Sequence, residues 1–156
     1  MGEKEFNSVC GFLKSNKIDF KILTHAPVHT SEEAARIRGK PLSGGVKAIV
    51  LKSSDGKVLQ ALVSGDKRID LKKLAKIIGT KRLSLASPIE VLEKTGCEIG
   101  SVHPLGNLSG LTVYMDKKVL ENEIVDFSVG LHTHTIEMKC ADLLKAINPK
   151  IEEYSL

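Results

Sequence analysis

Gly44-Gly45-Val46-Lys47-Ala48-Ile49-Val50-Leu51 is the stretch whose reading decides the fold. A glycine pair turns the chain into an aliphatic, β-branched run, the composition of a strand. Side chains alternate across a strand, so Lys47 shares its face with Ile49 and Leu51. An unpaired ammonium in apolar surroundings is costly, so a lysine there implies a use for its charge. Asp55-Gly56 follows as a hairpin signal and leads into a second apolar run over 58–63.

A second anomaly lies about fifty residues on, in Gly96-Cys97-Glu98-Ile99-Gly100-Ser101-Val102-His103-Pro104-Leu105-Gly106. It is too rich in glycine for a helix and too apolar for a disordered loop. A buried cation with an ordered glycine loop suits an anion or an oxyanion.

Working outward, Phe6, Val9, Cys10 and Leu13 recur at helical spacing, which predicts a helix over 4–15. Ile18, Phe20 and Ile22 alternate with charged residues and predict a strand. Thr30 and Glu33 have capping-box spacing for a short helix ending at Gly39. Asp70 caps a helix with Leu71, Leu74, Ala75 and Ile78 on one face and Lys72, Lys73 and Lys76 on the other, stopped by Gly79. Residues 82–86 read as a short strand, and Ser87-Pro88 opens another helix. Strands are expected at 111–115, 124–129 and 135–138, and a last helix at 141–147. The irregular interleaving argues for an α+β (mixed α/β) fold, a mixed sheet or barrel with peripheral helices, over a doubly wound sheet.

With 156 residues, 42% of them hydrophobic, the chain has the size of one domain, 1–156, with its own core. No apolar run approaches the roughly twenty residues of a membrane span. The first residues lack the pattern of a signal peptide, so a cytoplasmic location is expected. Cys10, Cys97 and Cys140 have no paired spacing and read as reduced core thiols. Net charge is +4, and its distribution says more. Between Lys67 and Arg82 seven basic residues face one acid, Asp70. Such a segment is either a polyanion-binding surface or a solvated lysine face.

The Thr24-His25-Ala26-Pro27 segment, the Gly-Gly-Val-Lys47 strand, the segment from Ser64 to Leu74 and the loop from Gly100 to Gly106 occur in this order. Together they resemble the YbaK/prolyl-tRNA-synthetase-associated family of stand-alone aminoacyl-tRNA editing domains, over nearly the whole chain. The resemblance implies a curved, barrel-like sheet with peripheral helices. It also implies a trans-acting aminoacyl-tRNA deacylase that hydrolyses the ester of mischarged tRNA. Lys47 matches the family's essential lysine, and Gly100 and Pro104 match the ends of its substrate loop. Lys47 and Gly100 are thus catalytic candidates and Pro104 a substrate-binding one. Ser101 joins the catalytic candidates only as the serine nearest the loop, read otherwise as a small residue that donates a hydrogen bond. His25 and His132 join the substrate-binding ones as polar residues near the pocket, His132 in a segment where the family varies. Lys67, Arg68, Lys72, Lys73 and Lys76 are the candidates for contact with tRNA. A synthetase is a candidate partner, and neither DNA nor a membrane is one.

An aminoacyl ester is already activated, so catalysis needs a placed water and a stabilised oxyanion, which fixed backbone N–H groups can supply. Lys47 could hold a phosphate, the ribose or the ester carbonyl, or act as a base of depressed pKa. It could also be a strand lysine whose head reaches water. No cofactor or metal site is expected. His25 and His29 flank Pro27, so they are not a helical i,i+4 metal pair, and His132 and His134 alternate as on one strand face, with no third ligand. No Gly-x-Ser-x-Gly elbow or Cys/His signature supports a covalent nucleophile. Two other functions remain: a non-catalytic tRNA- or RNA-binding module of the same fold, and a carboxylate-binding protein with Lys47 as counter-ion.

Overall fold

The computed structural model describes residues 2–156, without the side chains of Ser31 and Arg38. The helices are α1 (Glu3–Ser15), α2 (Ser31–Arg38), α3 (Leu71–Ile78), α4 (Pro88–Thr95) and α5 (Cys140–Ile147). The strands are β1 (Lys21–Thr24), β2 (Val46–Ser53), β3 (Val58–Ser64), β4 (Leu83–Leu85), β5 (Thr112–Asp116), β6 (Ile124–Ser128), β7 (His134–Lys139) and β8 (Lys150–Glu152).

The helix boundaries follow the cap chemistry. Thr30, Asp70 and Ser87 each accept a hydrogen bond from the backbone N–H three residues on. Ser87 and Glu90 complete a reciprocal capping box with Pro88 in the first turn. Gly39, Gly79 and Gly96 close their helices in the left-handed conformation.

The strands form two sheets. One has the order β4-β2-β3-β5-β8, with β2 antiparallel to β3 and β4, and β5 parallel to β3 and β8. The other has the order β1-β7-β6 and is antiparallel throughout. The α+β expectation holds, whereas the barrel-like sheet does not. The larger sheet ends at β4 and β8, and a Gly45–Asp126 bridge links it to the smaller one without closing a barrel. The main core lies under α1 and α5 and includes Val9, Leu13, Phe127, Ile136 and Leu143. A second cluster packs α3 onto the larger sheet through Leu51, Leu59, Leu74 and Tyr154.

Several elements depart from the sequence reading. The first strand begins at Lys21, because Lys17 turns the chain with φ 56° and Ile18 and Phe20 pack against the core before the ladder starts. A 3-10 helix over Lys117–Glu121 and strand β8 were not anticipated. The tail beyond β8 is held by two buried groups. Asp116 accepts from the N–H groups of Tyr154 (2.8 Å), Ser155 (2.9 Å) and Lys118 (3.1 Å). The fully buried Tyr154 hydroxyl donates to the Leu62 carbonyl at 2.6 Å, and burial raises its pKa.

Asp116→Ala orphans three N–H donors and should cost about 3 kcal/mol, whereas Tyr154→Phe orphans one carbonyl lone pair and should cost about 1 kcal/mol. Urea unfolding of the two variants checks the ranking. Equal losses would mean that the carboxylate does not hold the tail.

Candidate functional site

The cleft opens where the two sheets meet. Its volume is about 420 Å³, and Gly45 and Asp126, the pair that bridges the sheets, both line it. Small aliphatic residues such as Ala48, Val50, Ala86 and Val102 form much of the wall, with Phe127 from the smaller sheet. The polar lining includes Lys47, Glu32, His29, Ser128 and the buried Asp126.

Lys47 and Gly100 both line this cleft, although they are 53 residues apart in the chain. Lys47 is half-buried on β2, opposite Val63 of β3. Its Nζ donates to the backbone carbonyl of Lys67. That carbonyl is brought back by a tight turn in which the Lys67 N–H donates to Ser64 at 2.9 Å. Gly65 in the turn packs so closely on the Leu42 carbonyl that a Cβ would sit 2.5 Å from it. Burial pushes the Lys47 pKa below the ordinary lysine value. Glu32 and Asp66 oppose that shift, and Arg68 reinforces it.

Gly100 has φ +90°, a conformation that disfavours any side chain. A Cβ there would also meet the His29 carbonyl at 3.3 Å and His132 Cε1 at 3.5 Å. The rest of the loop is anchored from behind by Gln60, a fully buried residue on β3. Gln60 Nε2 donates to the His103 carbonyl at 2.9 Å, and Gln60 Oε1 accepts from the Gly106 N–H at 3.0 Å. Gly106 allows this approach, because a Cβ would lie 2.5 Å from Gln60 Oε1. His103 is buried, and desolvation lowers its pKa to about 4. Its neutral ring accepts the Leu105 N–H at Nδ1, 3.1 Å away. Gln60 and His103 thus shape the loop, and neither carries a functional signal of its own in the sequence.

The remaining candidates are arranged differently. Ser101 is buried outside the cleft lining, and its hydroxyl donates to the Glu98 carbonyl at 2.8 Å. Pro104 is also buried within the loop, away from the lining. His25 is held by the Ala26 carbonyl and the Thr135 hydroxyl, each at 2.8 Å, and does not line the cleft. His132 sits beneath Gly100, with Nδ1 3.0 Å from the Val28 carbonyl and its ring centroid 4.3 Å from that of His29. His132 and His134 do not share a strand face, because β7 begins only at His134. His134 instead packs edge-on against Phe6. Among the described residues no group of three His, Cys, Asp or Glu side chains could hold a metal ion. All three cysteines are free and buried. Lys72, Lys73 and Lys76 project from α3 into solvent, and Arg68 is exposed beside the Lys67 turn. No helix of the described residues is long and apolar enough to cross a membrane.

Residues 25–146 match the family model of the aminoacyl-tRNA editing domain. The multifunctional Ser/Thr-tRNA deacylase ProXp-y of Escherichia coli K12 is 32% identical, over 98% of this chain and 94% of that protein. The prolyl-tRNA editing protein ProX of Acetoanaerobium sticklandii is 29% identical, over 90% of this chain and 88% of its own. A proline–tRNA ligase of Trichlorobacter lovleyi is 36% identical over 66% of this chain, a match that takes up 18% of the ligase. Among solved structures, a candidate trans-editing enzyme for prolyl tRNA synthetase superposes with a TM-score of 0.87 at 28% identity, covering 97% of both chains. The chain belongs to the aminoacyl-tRNA editing domain family.

Proposed function

We propose that the chain is a trans-acting aminoacyl-tRNA deacylase whose reaction takes place in the cleft between Lys47 and Gly100. The observation that carries this reading is their convergence on one cleft, which a half-buried ammonium and a glycine at positive φ both line. Its relatives include a deacylase and an editing protein that align along almost their whole length. A second site of this kind serves where a synthetase pocket cannot reject a similar small amino acid.

In this reading Lys47 acts as a fixed cation. One N–H is committed to the Lys67 carbonyl, which leaves donors for the ester carbonyl or the ribose. The backbone of the Gly100 turn stabilises the oxyanion, and a water attacks the ester. The acyl carbon–oxygen bond to the ribose breaks, the amino acid leaves as a carboxylate, and the terminal hydroxyl is regenerated. Ser101 and Pro104 hold the loop in shape instead of touching substrate, and His132 supports Gly100 from below. The Lys67, Arg68 and α3 surface holds acceptor-stem phosphates. A synthetase charging the same tRNA is the partner, and the cytoplasm the place of work. The experiment is a deacylation panel of mischarged tRNAs.

Lys47→Ala should lower single-turnover deacylation by about a hundredfold or more while leaving the thermal midpoint near the parent's. Equal turnover by variant and parent would remove Lys47 from catalysis. Gly100→Val should reduce turnover far more than tRNA affinity, since a side chain at this positive φ, pressed on the His29 carbonyl and His132, shifts the loop backbone away from the oxyanion. An effect confined to Kd would contradict the oxyanion role. Replacing Lys72, Lys73 and Lys76 together by Gln should weaken tRNA binding and flatten its log–log salt slope by roughly 0.7–0.9 per lost contact. Hydrolysis of a minimal aminoacyl-nucleotide should barely change. Parental affinity and slope in the triple variant would make the patch a solvated face.

A further inference from the structure

Among the described residues, the large aliphatic side chains more than half exposed are Leu85 (67%), Ile89 (70%), Ile99 (55%) and the C-terminal Leu156 (70%). Two of the four, Leu85 and Ile99, line the cleft. They come from different elements. Leu85 ends the edge strand β4, and Ile99 immediately precedes Gly100 in the substrate loop. Scattered exposed aliphatics need no explanation, but a pair on the lip of a functional cleft does.

We infer that Leu85 and Ile99 form a platform for the terminal nucleobase of the tRNA, the adenine attached to the ribose that carries the ester. This rests on the deacylase reading of the cleft. The cleft volume, about 420 Å³, lies in the range that houses drug-sized ligands and exceeds the needs of a small aminoacyl group. With the ester at Lys47 and Gly100, the ribose is one bond away and its base must cross the lip. A purine presents two flat, largely apolar faces, and covering one with aliphatic side chains removes apolar surface from water on both partners. Contact with a face instead of the hydrogen-bonding edges tolerates any base, because every base has such a face. The polar and apolar sides of the opening divide the nucleotide. Lys47 suits the ester and ribose, the Lys67–Arg68 turn that holds it suits the phosphate outside the lining, and Leu85 and Ile99 are left for the base.

The test uses two non-hydrolysable probes on the intact chain. One is 3′-deoxy-3′-(L-serylamino)adenosine, and the other is the same amide on a methyl riboside without the base. The parent should bind the adenosine probe about tenfold more tightly by calorimetry, in line with partial burial of an apolar face. The Leu85→Ala/Ile99→Ala double variant should lose that preference, keep its affinity for the base-free probe and keep the parent's thermal midpoint. Ile89→Ala, equally exposed but off the cleft, should retain the preference. Equal binding of both probes by the parent, or an equal loss on both in the double variant, would overturn the platform. Hydrolysis of mischarged tRNA by the parent is scored separately. Turnover without any base preference discards the platform alone, and base preference without turnover discards the deacylase reading alone.

Discussion

A half-buried ammonium has to be given a partner, and in this fold the partner is a backbone carbonyl. Lys47 Nζ donates to the Lys67 carbonyl, and that bond fixes where the ammonium stands. A carbonyl offers a dipole but no full charge, so burial still lowers the lysine pKa. The side chain therefore remains available to a substrate. A carboxylate as direct partner would have bound it into a salt bridge and occupied the same donors. Placing the carbonyl requires the β2–β3 register that sets Lys47 opposite Val63, and a tight turn just beyond Ser64. The turn in turn requires Gly65, packed against the chain before β2.

The other half of the site depends on the same strand. Gln60 and the Ser64–Lys67 turn both belong to β3 or its end, and β3 is the middle strand of the larger sheet. Gln60 clamps the loop from His103 to Gly106, while the turn holds Lys47. One rigid strand thereby sets the separation of cation and loop, which is the condition for stabilising charge without reorganisation during reaction. The smaller sheet completes the cleft with Asp126, Phe127 and Ser128.

The parts of the fold written in local chemistry were legible in the sequence. Thr30, Asp70 and Ser87 announce their helices because a cap acts within three residues. Asp55-Gly56 announces the hairpin for the same reason. Lys47 stood out because it breaks the pattern of its strand, and Gly100 because it belongs to a glycine-rich loop that carries the family resemblance. Gln60 did not, since its bonding partners lie 43 and 46 residues away and a glutamine between aliphatics reads as a mere blemish. Strand β8 is three residues long, and only its pairing with β5 identifies it. The alternation at Ile18, Phe20 and Ile22 was real but out of phase with the ladder, and Ile22 is 42% exposed. Ser101 was a candidate only as the serine nearest the glycine loop, and its hydroxyl donates to the Glu98 carbonyl, as a small loop residue's would. Closure of a barrel is a property of strand order, which no local pattern encodes.

The central claim is that Lys47 works as a cation on the ester, and the pH dependence of kcat/KM tests it most directly. The measurement is single-turnover deacylation of a mischarged tRNA, corrected for spontaneous hydrolysis, in the parent and in Lys47→Arg. Because burial lowers the Lys47 pKa, the ammonium is lost at a pH below that of an ordinary lysine. The account predicts a rate that falls as pH rises through that value in the parent, and no such fall in the arginine variant, whose side chain stays charged. A rate that climbs through the same pH in the parent, with the variant inactive, would make Lys47 a general base and contradict the account.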